Sequence, residues 1–338
     1  MTNQNSSSSK RSLAMQLRRW LAGRTRNVGW VRPLAQWQAR QRVLPYALRF
    51  RIARWANLLT LDAGMPEVVD YHDQQTGLIF KLNLRDFASW MGFYFGRYQQ
   101  QVIDTILSLI SPQTCCIELG SNIGLHTLFI GRQYAIWGKQ QSVIAFEPSP
   151  SAYEVLREHI HLNQLENVIL PYPMAVSDFD GESELYLATQ VAFGGTNSGN
   201  NSLRDLSGAP DSAHEGRHTS VRTVRLDTFW QQPPTDQRIG LIKADIEGAE
   251  LPALRGACSL LRSHRPCLIF EAHPVWMRHF GYRLDDVLSY LRSLEYEVYF
   301  IKGERTFTKV TQDSVLQDST DCLALPVESE REIFAKLL

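Results

Sequence analysis

The sequence lacks any apolar run of the roughly 18–20 residues that a membrane-spanning helix needs. It contains only five cysteines, none in a CxxC pair, so neither a disulfide framework nor a zinc site is indicated. We expect these cysteines to be reduced and buried. The first residues also lack the apolar segment and the small-residue cleavage site of a secretory signal. We therefore expect a cytoplasmic protein.

Acidic residues are absent from residues 1–60, although 12 Lys and Arg side chains and four of the eight tryptophans lie there. The remaining residues carry 23 basic and 35 acidic side chains, a net charge of −12, whereas the whole chain is neutral. Such asymmetry indicates separate parts. We predict a basic, partly disordered and partly helical arm over residues 1–60 and a folded body over residues 61–338.

Residues 13–59 of the arm contain broken helical patterns in which apolar side chains alternate with arginines. Helices of this composition bind anionic membrane surfaces, where tryptophan favours the headgroup region. Two alternatives follow: the arm docks on the inner membrane surface, or it packs along the acidic body. A nucleic-acid clamp is a third possibility, which the acidic body disfavours.

The body alternates short apolar runs with helical patterns. Typical strand segments are "CCIEL", "SVIAFEP", "IGLIKA" and "PCLIFEA". Strands that alternate with helices predict a parallel sheet covered by helices on both faces.

A glycine turn in "IELGSNIGLHT" (Ile117–Thr127) joins a strand to a helix. No Lys-Ser or Lys-Thr follows its second glycine, so a P-loop is disfavoured, and the GxGxxG spacing of dinucleotide folds is absent. Glu118, two residues before Gly120, would repel a pyrophosphate but suits a cation. S-adenosylmethionine is such a ligand, since it carries an ammonium and a sulfonium group.

Acidic residues also end two later strands. Glu147 in "AFEPS" is placed to accept hydrogen bonds from two ribose hydroxyls. In "LIKADIEGAE", Asp245 ends a strand, and Glu247 and Glu250 follow within a few residues. Ligands of open α/β sheets lie at the carboxyl ends of the strands, so we expect Asp245 to face the reacting group. Glu250 is either functional or an acid that favours a helix N-terminus.

These segments, together with "AFEPSPSAYEVLREHIHLN", "AVSD", "VRLDTF" and "KADIEGAELPALRGA", resemble the FkbM-type S-adenosylmethionine-dependent methyltransferases. The resemblance covers residues 78–326 and excludes the basic arm. It implies a Rossmann-like, seven-stranded class I methyltransferase sheet. It also implies O-methylation of a hydroxyl on a sugar, a glycan or glycolipid, or a secondary metabolite.

The resemblance implies a set of cofactor residues, namely Glu118, Gly120, Ser121, Asn122, Gly124, Glu147 and Ser177. An alkyl hydroxyl needs a general base, for which Asp245, Glu271 and His273 are the candidates. Asp245 and Glu247 could instead hold a divalent cation. Two other functions remain open: an RNA methyltransferase that uses the arm as a clamp, and a non-catalytic protein of the membrane surface. The sequence does not name the acceptor.

Overall fold

The structure, a computed structural model, describes residues 29–41, 43–188, 198–205, 217–311, 314–316 and 318–337. The arm before residue 29 lies outside this part. Contacts between Cα atoms divide the chain into two compact units. The first holds the described residues up to Tyr71 together with Lys81–Tyr98, and the second holds His72–Phe80 and the described residues from Gln99 onward.

The first unit is built from helices α1 (Val31–Arg40), α2 (Tyr46–Asp62) and α3 (Phe87–Phe95). Small side chains such as Ala35, Ala53 and Ala56 let α1 and α2 pack closely against Trp90 and Tyr94 of α3. The hairpin of β1 (Val68–His72) and β2 (Ile79–Asn83) contributes residues to both units. The helical segments predicted for residues 29–59 therefore form a small core with the aromatic segment that follows Asp86.

The second unit is an α/β fold with two sheets. Its strands are β3 (Thr114–Leu119), β4 (Val143–Phe146), β5 (Ile169–Tyr172), β6 (Ala175–Val176), β7 (Gly181–Tyr186), β8 (His218–Val224), β9 (Arg238–Ala244), β10 (Cys267–Ala272), β11 (Tyr296–Gly303), β12 (Thr306–Lys309) and β13 (Thr320–Pro326). Its helices are α4 (Gln100–Leu109), α5 (Thr127–Ile136), α6 (Pro150–Leu162), α7 (Leu226–Phe229), α8 (Glu250–Arg255), α9 (Cys258–His264), α10 (Pro274–His279), α11 (Leu284–Ser293) and α12 (Glu330–Leu337).

The large sheet has the order β5-β4-β3-β9-β10-β13-β11-β12. Among the described residues this sheet has eight strands, with the short β12 at one edge, whereas the resemblance implies seven. The predicted parallel pairing holds from β5 to β10, but β13 is antiparallel to both of its neighbours. Neighbouring parallel strands need a crossover connection, which is usually a helix. No helix lies between β11 and β13 among the described residues, so these two strands pair antiparallel.

The small sheet has the order β6-β8-β7. The sequence predicts one strand over residues 167–177, whereas the structure divides this segment between β5 of the large sheet and β6 of the small sheet. Pro173 lies at the break, and it has no N–H group with which to continue a ladder. The predicted hairpin excursion is present as the antiparallel pair of β7 and β8.

The central strands are buried on both faces, as their continuous apolar runs predict. All five cysteines are free; Cys258 is partly buried and the other four are buried. Within the described ranges, no helix combines the length and apolarity needed to cross a membrane.

The chain first runs outward from β3 to β5 and then returns to place β9 on the other side of β3. Leu119, the last residue of β3, pairs with Ala244, the last residue of β9. The direction of winding changes between these two strands, so a ligand crevice is expected beyond their carboxyl ends.

Candidate active site

The loop after β3 packs against the end of β9. Gly120 has a φ of +77°, and a Cβ placed on it would lie 2.0 Å from the carbonyl oxygen of Asp245. The glycine is therefore required by the protein's own packing, and its contact with the cofactor stays a prediction. Asn122, with a φ of 47°, and Gly124, with a φ of +90°, complete the turn. The N–H groups of Gly120 and Ser121 donate to the Phe146 carbonyl, so the end of β4 holds the loop from below.

Glu147, just after β4, holds this loop. Its carboxylate accepts hydrogen bonds from the N–H groups of Asn122 at 2.7 Å and Ser149 at 2.8 Å. Burial raises the pKa of Glu147 to about 7, although the two N–H donors oppose the shift. Each carboxylate oxygen has a second lone pair, so two ribose hydroxyls can still be accepted.

Glu118 lies beneath the loop. It is fully buried, accepts a hydrogen bond from the Thr127 hydroxyl at 2.6 Å, and lies 3.3 Å from the Lys243 ammonium. Burial raises the pKa of Glu118, while Lys243 and Thr127 oppose the rise. The sequence led to the expectation that Glu118 faces a cationic ligand. In the structure its carboxylate contacts the protein's own Thr127 hydroxyl and Lys243 ammonium.

Lys243 is a functional residue that the sequence reasoning missed. Its ammonium is buried and lies 3.3 Å from both Glu118 and Asp245. Burial alone would lower the pKa of Lys243, but the two carboxylates raise it above its usual value. It therefore stays charged and fixes Asp245 beside the loop. The available signal was a lone lysine inside the apolar strand "IGLIKA".

The turn from Asp245 to Ala249 is held by Glu250. Its Oε1 accepts from the N–H groups of Ile246 at 3.0 Å and Gly248 at 3.4 Å. The Tyr282 hydroxyl donates to the Gly248 carbonyl at 2.8 Å. Burial raises the pKa of Glu250 to about 7. Of the two interpretations left open by the sequence, these bonds support the structural one.

Three carboxylates meet at this edge of the sheet. One oxygen from each of Asp245, Glu247 and Glu271 lies within 4.8 Å of the others, and we call these residues the carboxylate cluster. The register Ala244↔Phe270 brings Asp245 and Glu271 to the same level of neighbouring strands. Burial and the neighbouring acids raise the pKa values of Glu247 and Glu271 well above the usual range. The Ser319 hydroxyl also bonds Glu271.

His273 has a different role from the general base suggested by the sequence. Its Nδ1 accepts from the N–H groups of Val275 at 3.2 Å and Trp276 at 3.4 Å, so the side chain caps the N-terminus of α10. Its ring stacks on Trp276 with centroids 4.6 Å apart. When Nδ1 accepts, the ring proton is on Nε2, which is then a donor. The structure therefore favours Asp245 and Glu271 over His273.

Ser177 directly follows β6 of the small sheet, and its side chain is buried. Its N–H donates to the Val224 carbonyl at 3.1 Å, and its own carbonyl lies 2.0 Å from a Cβ placed on Gly256. Gly256 is thus a glycine because the Ser177 backbone occupies the adjacent space. The contact between Ser177 and an adenine ring stays a prediction.

Residues 118–298 match the methyltransferase FkbM domain, from the acid of the loop to β11. The chain belongs to the FkbM methyltransferase family. Residues 118–298 are accordingly an S-adenosylmethionine-dependent methyltransferase domain with a class I fold. The site of this FkbM domain fits that cofactor, because Glu147 offers acceptors for the ribose and the carboxylate cluster offers negative charge for the sulfonium.

Two curated relatives are similar to parts of this FkbM protein. Methyltransferase 1 of Beauveria bassiana is 26% identical over 147 residues, which is 41% of this chain and 57% of that protein. The hexuronic acid methyltransferase AglP of Haloferax volcanii is 25% identical over 167 residues, 49% of this chain and 59% of that protein. The chain thus spans less than two thirds of each relative.

Among solved structures, the FkbM methyltransferase of Methylobacillus flagellatus is similar in fold. It shares 16% sequence identity at a TM-score of 0.41, over 86% of this chain and 58% of that one.

Proposed function

We propose that this protein transfers the methyl group of S-adenosylmethionine to a hydroxyl of a sugar, a glycan or glycolipid, or a secondary metabolite. The observation that carries the proposal is the carboxylate cluster, which lies at the end of β9 and β10 beside the loop supported by Glu147. Similarity to a protein named a hexuronic acid methyltransferase supports a sugar as the acceptor.

The residues of the chain position the acceptor and accept its proton. The bound cofactor supplies an electrophilic methyl group, so alignment of the acceptor oxygen with that carbon accounts for much of catalysis. Burial and the neighbouring acids raise the pKa values of Glu247 and Glu271, so each is a stronger proton acceptor when ionised than an exposed carboxylate is. In this arrangement the cluster would accept the proton of the acceptor hydroxyl, whose oxygen the site would hold in line with the methyl group that the bound cofactor would supply.

Asp245 is the residue whose substitution tests this assignment. It lies between the Lys243 ammonium and the rest of the cluster, and its N–H donates to the Leu119 carbonyl. Asp245→Asn keeps the shape but removes the charge, so turnover should fall by about 10²–10⁴-fold, the contribution of a positioned proton acceptor. The affinity for S-adenosylmethionine should change only a few-fold.

The experiment measures methyl transfer from isotopically labelled cofactor to neutral glycosides, hexuronates, glycolipids, phenolic and alkyl alcohols, and RNA, with products identified by mass spectrometry. Asp236→Asn is the control, because Asp236 is exposed near the opposite end of β9. Turnover near the wild-type value in Asp245→Asn would contradict the assignment. Methylated RNA with no methylated alcohol would establish the alternative function.

An exposed face on the first unit supports an anionic membrane surface as a partner. α1 buries Val31 and Ala35, whereas Trp30, Leu34 and Trp37 at helical spacing are 62%, 53% and 61% exposed. The same pattern recurs on α2, which exposes Leu48, Arg51 and Trp55. Tryptophans beside arginines, without acids before Asp62, match the composition of interfacial helices. Docking would bring the enzyme close to a lipid-linked acceptor.

A further inference from the structure

The carboxylate cluster concentrates more negative charge than the nearby protein neutralises. Asp245 and Glu247 lie in the turn that follows β9, and Glu271 belongs to β10, so two segments that are distant in sequence bring the acids together. Asp321 on β13 pairs with Glu271 in the sheet register. Among the described residues, the Lys243 ammonium pairs with Asp245, and its single positive charge is shared with Glu118.

Glu247 supplies a second and independent observation. Its side chain is only 8% exposed, and its Oε2 is buried without a hydrogen-bond partner among the described residues. Its φ of 52° is a left-handed conformation that a non-glycine residue rarely adopts. The contrast is Glu250 in the same turn, whose two oxygens accept from backbone N–H groups and the Tyr282 hydroxyl.

An unpartnered buried carboxylate is unfavourable by several kcal/mol unless a ligand or a proton neutralises it. The protein could satisfy Glu247 by protonation, and burial does raise its pKa. Protonation, however, does not account for the convergence of three acids from two distant segments. A shared cation does, because it attracts all three carboxylates at once.

The donor set defines the class of cation. All three ligands are carboxylate oxygens, without histidine or cysteine, which suits Mg²⁺, Mn²⁺ or Ca²⁺ and disfavours zinc and copper. Two oxygens on one cation can be about 4.2 Å apart for Mg²⁺ and about 5.2 Å apart for Ca²⁺, twice their usual bond lengths. The cluster oxygens lie within 4.8 Å of one another, which is inside the Ca²⁺ limit, whereas Mg²⁺ requires each pair to be within about 4.2 Å.

We propose that Asp245, Glu247 and Glu271 bind one divalent, oxygen-preferring cation. Cation binding is inferred from the three carboxylates and does not depend on the proposed function. A role for the cation, the acidification of an acceptor hydroxyl, rests on the proposed O-methyl transfer.

The test measures Mn²⁺ binding to the full chain, freed of metal by chelation, without cofactor or acceptor. Electron paramagnetic resonance counts the bound Mn²⁺, and competition with Mg²⁺ and Ca²⁺ ranks the cations. We expect one site in the wild type, and a Glu247→Gln affinity weaker by about tenfold or more, because site affinity follows ligand charge. Glu154→Gln, which removes the same charge from the exposed face of α6, should bind as the wild type does.

The unfolding temperature of the metal-free protein distinguishes a variant that has lost the cation site from one that no longer folds. Glu247→Gln should unfold at the same temperature as the wild type or higher, since it removes an unpartnered buried charge, but Mn²⁺ should no longer raise that temperature. No Mn²⁺ binding at millimolar concentration by the wild type, or equal binding by Glu247→Gln, would overturn the proposal. Mn²⁺ binding without methyl transfer would leave the cation site standing and remove the proposed function.

Discussion

We infer that Glu147 couples the shape of the loop after β3 to the affinity for the cofactor. Its carboxylate is fixed by two backbone N–H groups, one of them in the loop itself. Loss of the side chain would remove both the ribose acceptor and the attachment of Asn122. We expect Glu147→Ala to weaken S-adenosylmethionine binding by about 1.5–3 kcal/mol, the value of hydrogen bonds to a charged group.

The pH dependence of binding provides the sharper measurement. The pKa of Glu147 is raised to about 7 by burial, and hydroxyl donors of the ribose favour the ionised form. Binding therefore releases a proton below pH 7, and the dissociation constant should rise as pH falls through about 7, by up to about tenfold per pH unit for one proton. Calorimetry from pH 5.5 to 8.5 checks this.

The comparison variant for both measurements is Glu154→Ala, an exposed acid on the helix that follows Glu147. It should keep the wild-type affinity and the wild-type pH profile. A Glu147→Ala protein with an unchanged dissociation constant would exclude Glu147 from the cofactor site.

At the scale of elements, the connection from β3 to α5 packs tightly against the end of β9, and this close packing requires a glycine at position 120. A Cβ at position 120 would lie 2.0 Å from the Asp245 carbonyl, at a backbone φ of +77°. Gly120→Ala should therefore destabilise the folded protein by at least about 2 kcal/mol, the sum of backbone strain and displacement of packed backbone. Urea unfolding measures the effect.

Gly138 offers a matched control for the backbone conformation. Its φ is +70°, but a Cβ placed there meets nothing within 4 Å. Gly138→Ala should thus show only the strain of the left-handed conformation, about 1 kcal/mol. If the two variants lose equal stability, the contact between the loop and Asp245 is not what demands Gly120.

The sequence predicted those elements whose residue pattern lies within one short segment of the chain. The strand, turn and helix around Gly120, and the acid at the end of β4, are patterns within short segments, and the structure has them. Lys243 and Tyr282 were missed because Glu118, which pairs with Lys243, and the Gly248 carbonyl, which accepts from Tyr282, lie far away along the chain. The cap that His273 provides was not predicted, because capping depends on where α10 begins. The antiparallel β13 and the edge strand β12 follow from the order in which strands join the sheet, which periodicity does not encode.

At the scale of the whole molecule, the charge of the chain is divided by position. Residues 1–60 carry 12 basic side chains and no acids, and the remainder has a net charge of −12. The exposed tryptophans of α1 and α2 lie in the basic part. We expect the full chain to co-sediment with vesicles containing anionic lipid at low salt, less at high salt, and weakly with neutral vesicles.

Trp37→Ser combined with Trp55→Ser should reduce vesicle binding by roughly tenfold or more, since each buried aromatic contributes about 1.5–3 kcal/mol. Both side chains are exposed, so thermal stability should be nearly unchanged. Ile136→Ser, at an apolar position of the second unit that is 69% exposed, should bind like the wild type. Wild-type protein that stays in solution with anionic vesicles at low salt would end the membrane proposal.

The position of β3 between β4 and β9 has a consequence for how the protein is made. On the ribosome, β3, β4 and β5 emerge well before β9, yet Leu119 must wait for Ala244 to complete its pairing. Such distant pairing slows folding, and meanwhile one apolar edge of β3 is open to wrong partners. The loop at Gly120 also lacks the backbone of Asp245, against which Gly120 packs, until that residue has been synthesised. Nascent chains and proteolytic fragments that end before Asp245 should therefore bind no cofactor and depend on chaperones to avoid aggregation.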